Sequence, residues 1–268
     1  MTKKKLMKNL ALTFILCGTA FAMMNAAFAT KRVLNRTNKT TVVQEGSISS
    51  SDTKTEKNKG LDTHEYVDLE LPSGTLWATC NVGAENPGEY GNYFAWGETK
   101  PKANYDWITY KHINNSGLCK YCAECKIELA KSMMAKIDNK LELEAEDDAA
   151  TVNWGNDWQM PSEEQFAELI DTSYTTTSWT TQNGVNGRLI ISKSNGNRIF
   201  LPAAGYRDET ILCTEGDSGD YWTSSLVTQV PGYGRYLMFT SGYIYTNALG
   251  FNGFYRRCGL SVRPVRRK

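Results

Sequence analysis

The chain has 268 residues, of which 41% are hydrophobic, 22% charged and 11% aromatic, a composition typical of a globular protein. It contains 30 Lys and Arg residues against 29 Asp and Glu residues, so the charge balance does not favour binding to nucleic-acid phosphates. Beyond the N-terminus no apolar run is long enough to span a bilayer. The sequence therefore predicts neither an integral membrane protein nor a nucleic-acid-binding protein.

The first 29 residues have the order of a secretory signal peptide. A lysine-rich start is followed by the apolar run LALTFIL and by two A-x-A sites, at 20–22 and 27–29. Cleavage after Ala29 predicts export to the periplasm, the cell surface or the medium. Two alternatives stay open, an uncleaved N-terminal anchor and a lipoprotein signal that ends at Cys17.

Six cysteines remain after cleavage, and an even number of cysteines in an exported chain favours disulfides. Sequence alone does not choose among the possible pairings. The six are Cys80, Cys119, Cys122, Cys125, Cys213 and Cys258.

The chain divides into a polar segment and a globular part. Residues 30–63 are rich in Ser, Thr, Lys and Asn and contain no aromatic residue, which predicts a flexible stalk. Aromatic and apolar residues recur from His64 onwards, so we expect one domain over 64–268, with a cysteine-rich insertion near 112–140.

Within the domain, alternating patterns predict strands over 65–71 and 75–82, joined by a turn at 72–74. Residues 86–117 are predicted to form a long ordered loop, and 123–137 an amphipathic helix. Ser162 and Gln165 form a capping-box pattern that predicts a helix start. The Asn195-Gly196 pair predicts a hairpin, and further strands are expected over 221–227, 236–241 and 260–265. Many short strands with few helices indicate an α+β fold.

Six blocks of the domain occur in an order that resembles a known family. The blocks are YVDLELPSGTLWATCNVGA (66–84), YGNYFAWGET (90–99), EAEDDAATVNWGNDWQMPSEEQFAELI (144–170), NGNRIFLPAAGYR (195–207), GDYWTSS (219–225) and RRCGLSVRPV (256–265). Together they resemble the Fibrobacter succinogenes major paralogous domain, which is common in exported bacterial proteins. The resemblance implies a C-type-lectin-like fold and a distant similarity to formylglycine-generating sulfatase-modifying enzymes. The activity of those enzymes is not carried over, because Cys258 does not map onto their catalytic motif.

Two clusters could hold a metal ion. Cys119, Cys122 and Cys125 are spaced by two residues each, and with His112 they could bind zinc; the alternative is disulfides or free thiols. Acidic residues surround Trp154, and carboxylate oxygens suit calcium. The calcium candidates are Asp147, Asp148 and Asp157. The alternative for this cluster is a solvated acidic turn in which Asp148 caps backbone amides. The sequence implies no other cofactor.

The segment 205–256 holds eleven aromatic residues and eight glycines. Tyrosine combined with glycine and serine is typical of recognition loops. Residues that fall on strand patterns are predicted to be buried: Tyr221, Trp222, Tyr236 and Phe239. Residues near turns are predicted to form a binding surface: Tyr233, Tyr243, Tyr245, Phe254 and Tyr255.

No catalytic constellation stands out, since the two histidines lie outside any Ser-His-Asp or Cys-His pattern. The sequence therefore predicts a non-catalytic binding or adhesion module at the bacterial envelope, with a glycan or a surface protein as its ligand. The alternatives are an exported enzyme related to the sulfatase-modifying group and a structural envelope protein.

Overall fold

The computed structural model describes residues 64–124, 131–246 and 253–267, all of which belong to one compact unit that spans Thr55–Lys268. The predicted signal peptide and stalk lie outside the described residues, as do Cys17 and Cys125. Among the described residues, no helix has the length and apolar character needed to cross a membrane.

The described residues form short strands, one 3-10 helix and two α-helices. The strands are β1 (Tyr66–Asp68), β2 (Thr75–Ala78), β3 (Ile113–Asn114), β4 (Gly117–Leu118), β5 (Thr175–Gln182), β6 (Val185–Ser192), β7 (Arg198–Pro202), β8 (Tyr206–Asp208), β9 (Ile211–Cys213), β10 (Ser218–Leu226), β11 (Tyr233–Thr240), β12 (Ile244–Tyr245), β13 (Phe254–Tyr255) and β14 (Val265–Arg267). The helices are the 3-10 helix Ala145–Asp147, α1 (Ala149–Trp154) and α2 (Glu163–Leu169).

These strands form several small sheets in which the paired strands run antiparallel. The sheet orders are β1-β2-β14, β5-β6-β7 and β10-β11-β12, with β13 also paired to β11, and β3-β4 and β8-β9 are two-stranded. Antiparallel strands in small sheets with two α-helices agree with the expected α+β class at this level of detail.

The sheet of β10 and β11 separates two hydrophobic cores. Successive side chains of a strand point to opposite faces, so Trp222 and Tyr236 pack into one core while Tyr221 and Leu237 pack into the other. The first core also contains Phe94, Trp96, Met160, Cys258, Leu260 and Val262. The second core also contains Trp77, Phe166, Leu169, Ile190, Leu201, Phe239 and Val265. The four aromatic residues predicted to be buried, Tyr221, Trp222, Tyr236 and Phe239, are at most 2% exposed, which confirms that prediction.

Aromatic side chains attach the long segment 86–117 to the first core. Trp96 Nε1 donates to the Thr223 carbonyl oxygen at 2.8 Å, and the Tyr93 hydroxyl donates to the Ala204 oxygen at 2.7 Å. The Tyr110 hydroxyl donates to the Trp96 oxygen at 2.7 Å. Each ring buries apolar area and its polar atom satisfies a main-chain carbonyl, so this segment is ordered with few regular strands.

The local signals in the sequence predicted several elements. The capping box of α2 is confirmed, since Ser162 Oγ accepts from the Gln165 amide and the Gln165 side chain accepts from the Ser162 amide. The Asn195-Gly196 hairpin joins β6 to β7, and the turn at 72–74 joins β1 to β2.

Two other elements differ from the prediction. Of the segment 260–265, only Val265 belongs to a strand. Leu260 and Ser261 make single bridges to Phe94 and Tyr221 instead. The predicted helix over 123–137 lies partly outside the described residues, and 132–137 consist of turns and irregular chain. Here Met134 forms a bridge to Leu118.

Candidate functional site

Tyr243 is the exposed residue of the predicted aromatic surface, and it stacks on the half-buried Tyr245. We call these two residues the tyrosine pair. They lie at and after the turn that joins β11 to β12, where the Thr240 amide donates to the Tyr243 carbonyl oxygen at 2.9 Å. The two rings are stacked, with centroids 5.4 Å apart and an interplanar angle of 22°. Tyr243 is 42% exposed, so its ring offers an aromatic surface to solvent.

The sheet fixes the position of Tyr245 beneath its neighbour. Tyr245 lies directly opposite Met238 on β11, and its hydroxyl contacts the Met238 Sδ atom at 3.0 Å. Burial is the main cause that raises the pKa of the Tyr245 hydroxyl to about 12, so it stays protonated and able to donate. The strand register therefore fixes Tyr245, and the hydrogen bond from the Thr240 amide holds the main chain at Tyr243.

A buried carboxyl group lies on the same sheet as the tyrosine pair. Asp220 of β10 is opposite Met238, so Asp220, Met238 and Tyr245 form one row across three strands. The carboxyl group is 2% exposed and accepts a hydrogen bond from the Ser218 hydroxyl at 2.7 Å. Burial raises its pKa to about 7. Asp220 was not among the predicted site residues, although a carboxyl inside the aromatic strand pattern SGDYWTSS was a visible signal.

Tyr233 and Tyr255 form a second pair, at the other end of β11. They are opposite one another in the register of β11 and β13, and their ring centroids are 4.8 Å apart. The Arg257 guanidinium lies 5.3 Å from the Tyr255 ring centroid. The five residue steps of extended strand from Tyr233 to Met238 span about 17 Å. The structure therefore separates the predicted surface into two places.

Phe254 contributes more to the core than to a surface. Its ring centroid lies 4.7 Å from that of Tyr206 and 5.3 Å from that of Tyr236, and it packs against the first core. Of the five predicted binding residues, Tyr243 is exposed and the other four are half-buried. The tyrosine pair is therefore the subset that contains the exposed ring.

The acidic residues around 144–148 surround a lysine. Lys120 Nζ lies 2.7 Å from a carboxylate oxygen of Glu144, 2.7 Å from one of Glu146 and 2.6 Å from one of Asp147. Asp147 also pairs with Lys111 Nζ at 2.5 Å. Burial tends to raise the pKa of Asp147, but these hydrogen bonds outweigh it and lower the pKa to about 2.

The three calcium candidates are directed to different partners. Asp147 takes part in the lysine cluster just described. Asp148 caps α1 and accepts from the Thr151 and Met160 amides at 2.9 and 2.8 Å, as the alternative expected. The turn is not solvated as that alternative also expected, because Asp147 and Asp148 are buried. Asp157 lies 3.6 Å from Arg266. Among the described residues, the one group of three ligand atoms close enough to share a metal ion is Glu144, Glu146 and Asp147, where the Lys120 ammonium already supplies the positive charge.

The zinc candidates share a hairpin, since the Cys119 amide donates to the His112 carbonyl oxygen at 3.1 Å. Among the described residues, the ligand atoms of His112, Cys119 and Cys122 do not form a group close enough to share a metal ion. His112 Nε2 lies 2.8 Å from the Gly97 carbonyl oxygen, and burial lowers the pKa of this imidazole to about 4. Cys122 Sγ lies 3.5 Å from the Leu118 carbonyl oxygen. Cys119 is half-buried, and Cys125 lies outside the described residues.

Each of the five described cysteines has a free thiol: Cys80, Cys119, Cys122, Cys213 and Cys258. Cys258 is fully buried. Burial is the main cause that raises the pKa of its thiol, so it is held in the form that is not nucleophilic.

A second group of carboxyls, missed in the sequence analysis, lies near the start of α2. Burial raises the pKa of Glu142 and of Glu163. The Ser224 hydroxyl donates to Glu142 at 2.6 Å, and Arg235 Nε lies 3.4 Å from Glu163. These residues are far apart in the sequence, so no local pattern could have joined them.

Comparisons of this chain with protein-family models, with curated proteins and with solved structures find no match.

Proposed function

We propose that this chain is an exported, non-catalytic binding module that recognises a glycan at the bacterial envelope through the tyrosine pair. The observation that carries the proposal is the exposed Tyr243 ring stacked on Tyr245, whose position the strand register fixes. Export rests on the signal-peptide pattern of the first 29 residues, and the C-type-lectin-like fold rests on the family resemblance of the six sequence blocks.

A glycan fits this surface for a physical reason. The C–H groups on one side of a sugar ring are apolar, and an aromatic face offers them contact area at little entropic cost, because tyrosine has only two torsions to fix. Stacking on Tyr245 already restricts the Tyr243 ring, so little further ordering is required on binding. A protein ligand would use the same surface as an aromatic anchor, and the test below distinguishes the two.

The proposal is tested with single substitutions in the full chain. Binding is measured first on an array of immobilised plant, host and bacterial polysaccharides, and then by titration with the best polysaccharide. Tyr243→Ala and Tyr245→Ala are each expected to weaken binding at least about tenfold, which corresponds to roughly 1.4 kcal/mol.

Tyr174→Ala is the matched control, because Tyr174 is 40% exposed and lies before β5, outside the tyrosine pair. Its affinity should equal that of the wild type. Unchanged affinity in both tyrosine-pair variants, or an equal loss in the control, would contradict the proposal. Binding to a purified envelope protein with no binding to any polysaccharide would replace the glycan by a protein ligand.

A further inference from the structure

Cys119 and Cys122 are folded against one another by a short turn. Cys122 Sγ lies 3.5 Å from the carbonyl oxygen of Leu118 and 3.7 Å from that of Lys120, which are the residues on either side of Cys119. Since a carbonyl oxygen lies about 3 Å from the next Cα atom, the Cys122 sulfur is within roughly 6.5 Å of the Cys119 Cα atom. The Cys119 thiol is also close enough to contribute to the raised pKa of the Cys122 thiol.

Side chains from two other parts of the chain fix the turn by hydrogen bonds to its main chain. Tyr121 has a positive φ of 58°, a conformation that reverses the chain direction. The Asp138 carboxylate accepts from the amides of Tyr121 and Cys122 at 2.9 and 2.8 Å. On the other side, Arg256 donates to the carbonyl oxygens of Lys120 and Tyr121 at 3.0 and 3.2 Å.

The side chains between the two cysteines are fixed as well. Lys120 Nζ and the Tyr121 hydroxyl both bond to Asp147 Oδ2, at 2.6 and 2.7 Å. The dipeptide between the thiols is thus held by charged groups from three other parts of the chain. This arrangement reduces the conformational entropy that closing a bond between the sulfurs would cost.

The two thiols differ in exposure, and this difference sets an order of reaction. Cys119 is half-buried and reachable from solvent, whereas Cys122 is fully buried. Burial raises the pKa of Cys122 to about 11, and the Arg256 guanidinium acts in the opposite direction. A bulky reagent therefore meets the Cys119 sulfur first.

We propose that Cys119 and Cys122 form a thiol–disulfide exchange site that takes a low-molecular-weight disulfide as its co-substrate. The Cys119 thiolate attacks one sulfur of that disulfide and expels one small thiolate, which leaves a mixed disulfide on Cys119. The Cys122 thiol gives up its proton to solvent as it attacks the Cys119 sulfur, and the second small thiolate is expelled. Two protein thiols are oxidised, the small disulfide is reduced by two electrons, and the two protons end on the released thiols.

The positions of the lysines make the test decisive. The full chain is incubated with oxidised glutathione, free thiols are blocked with iodoacetamide, and the chain is digested with trypsin without reductant. Cleavage after Lys111, Lys120 and Lys126 gives the peptides HINNSGLCK and YCAECK. A disulfide between Cys119 and Cys122 links the two peptides, whereas one between Cys122 and Cys125 stays inside the second peptide.

The expected result is a linked peptide pair in the wild type and in Cys125→Ser, with two glutathione molecules released per chain. Fragmentation of the linked peptide pair from the wild type should show that the disulfide is on Cys122. This measurement needs no variant, so the test stays valid if a variant does not fold. Cys122→Ser should stop at one glutathione on Cys119, and Cys213→Ser should react like the wild type. Separate alkylated peptides in Cys125→Ser, or wild-type fragments that place the bond on Cys125, would overturn the proposal.

Discussion

Arg263 is fully buried, and main-chain oxygens surround its guanidinium group. It donates to the carbonyl oxygens of Ala78, Thr79 and Phe200 at 2.9–3.0 Å and to the Asn81 side chain at 2.9 Å. These acceptors come from segments more than 100 residues apart in the sequence. The planar group therefore joins β2 and the chain after it to β7.

Arg263→Lys is expected to destabilise the fold by about 3 kcal/mol or more, because one ammonium group cannot reach all of these acceptors and leaves buried carbonyls unpaired. The measurement is the free energy of unfolding in urea. Arg267→Lys, at an exposed position at the end of β14, is the control and should change it by less than about 0.5 kcal/mol. Equal stabilities of the Arg263 variant and the wild type would show that the guanidinium contacts contribute little.

Asp220 is buried with a hydroxyl partner, so the protein stabilises its neutral form. Its pKa rises from 3.8 to about 7 on folding. The stabilising contribution is therefore complete below the unfolded pKa and is lost as the pH rises through about 7. Asp220→Asn keeps a neutral side chain at every pH, so it should be more stable than the wild type at pH 8, by on the order of 3 kcal/mol.

The stability difference between Asp220→Asn and the wild type should become small at pH 4, as measured by urea unfolding at both pH values. Asp217→Asn changes an exposed carboxyl in the turn just before β10 and should leave the wild-type profile unchanged. A pH-independent difference between Asp220→Asn and the wild type would show that ionisation of Asp220 is not responsible.

At the scale of elements, the contact between β10 and β11 depends on a glycine. Gly219 lies directly opposite Phe239, and a Cβ atom at Gly219 would lie 2.0 Å from the Phe239 ring. The ring packs on the glycine backbone and closes the second core. Such a contact leaves no room for a methyl group unless the ring or the strand moves.

Gly219→Ala is therefore expected to lower the free energy of unfolding by about 2–3 kcal/mol. Gly242→Ala is a matched control in the same sheet region, since the nearest atom to its added Cβ would lie at 3.9 Å. The control should stay within about 0.5 kcal/mol of the wild type. Thermal or urea unfolding measures both variants, and equal effects would exclude the proposed steric cause.

At the scale of the whole molecule, both cores share the sheet of β10 and β11. Trp77 reports on the second core, and Trp96 and Trp222 report on the first. Because neither core can lose the shared strands alone, the described unit should unfold in one cooperative step. Urea transitions followed by tryptophan fluorescence and by far-UV circular dichroism should have the same midpoint. In the Trp77→Phe variant, a fluorescence transition with a lower urea midpoint than the circular dichroism transition would indicate that the cores unfold separately.

Elements with short-range signals could be predicted from the sequence. The α2 capping box and the Asn195-Gly196 hairpin depend on residues two or three positions apart, so the responsible interactions are visible in the sequence. The strand β5 was missed because TTTSWTTQ lacks an apolar alternation. The Asn183-Gly184 pair between β5 and β6, with φ values of 50° and 80°, was the available turn signal.

The candidate site was predicted only in part. Sequence composition indicated the aromatic residues of 205–256, and strand patterns separated the buried ones from those near turns. The sequence did not show that the tyrosine pair lies apart from Tyr233, Tyr255 and Phe254. That distance depends on which residues of β11 lie opposite β12 and which lie opposite β13.

The sequence by itself determined the helix caps, the main turns, the buried strand aromatics and the polarity of the chain, because these depend on neighbouring residues. Only the tertiary structure decided which charged groups meet. Lys120 enters the acidic cluster of 144–147 from a distant segment, and Arg256 reaches the turn between Cys119 and Cys122 from 136 residues away. Such contacts are fixed by the packing of the two cores around one shared sheet, and no local pattern specifies them.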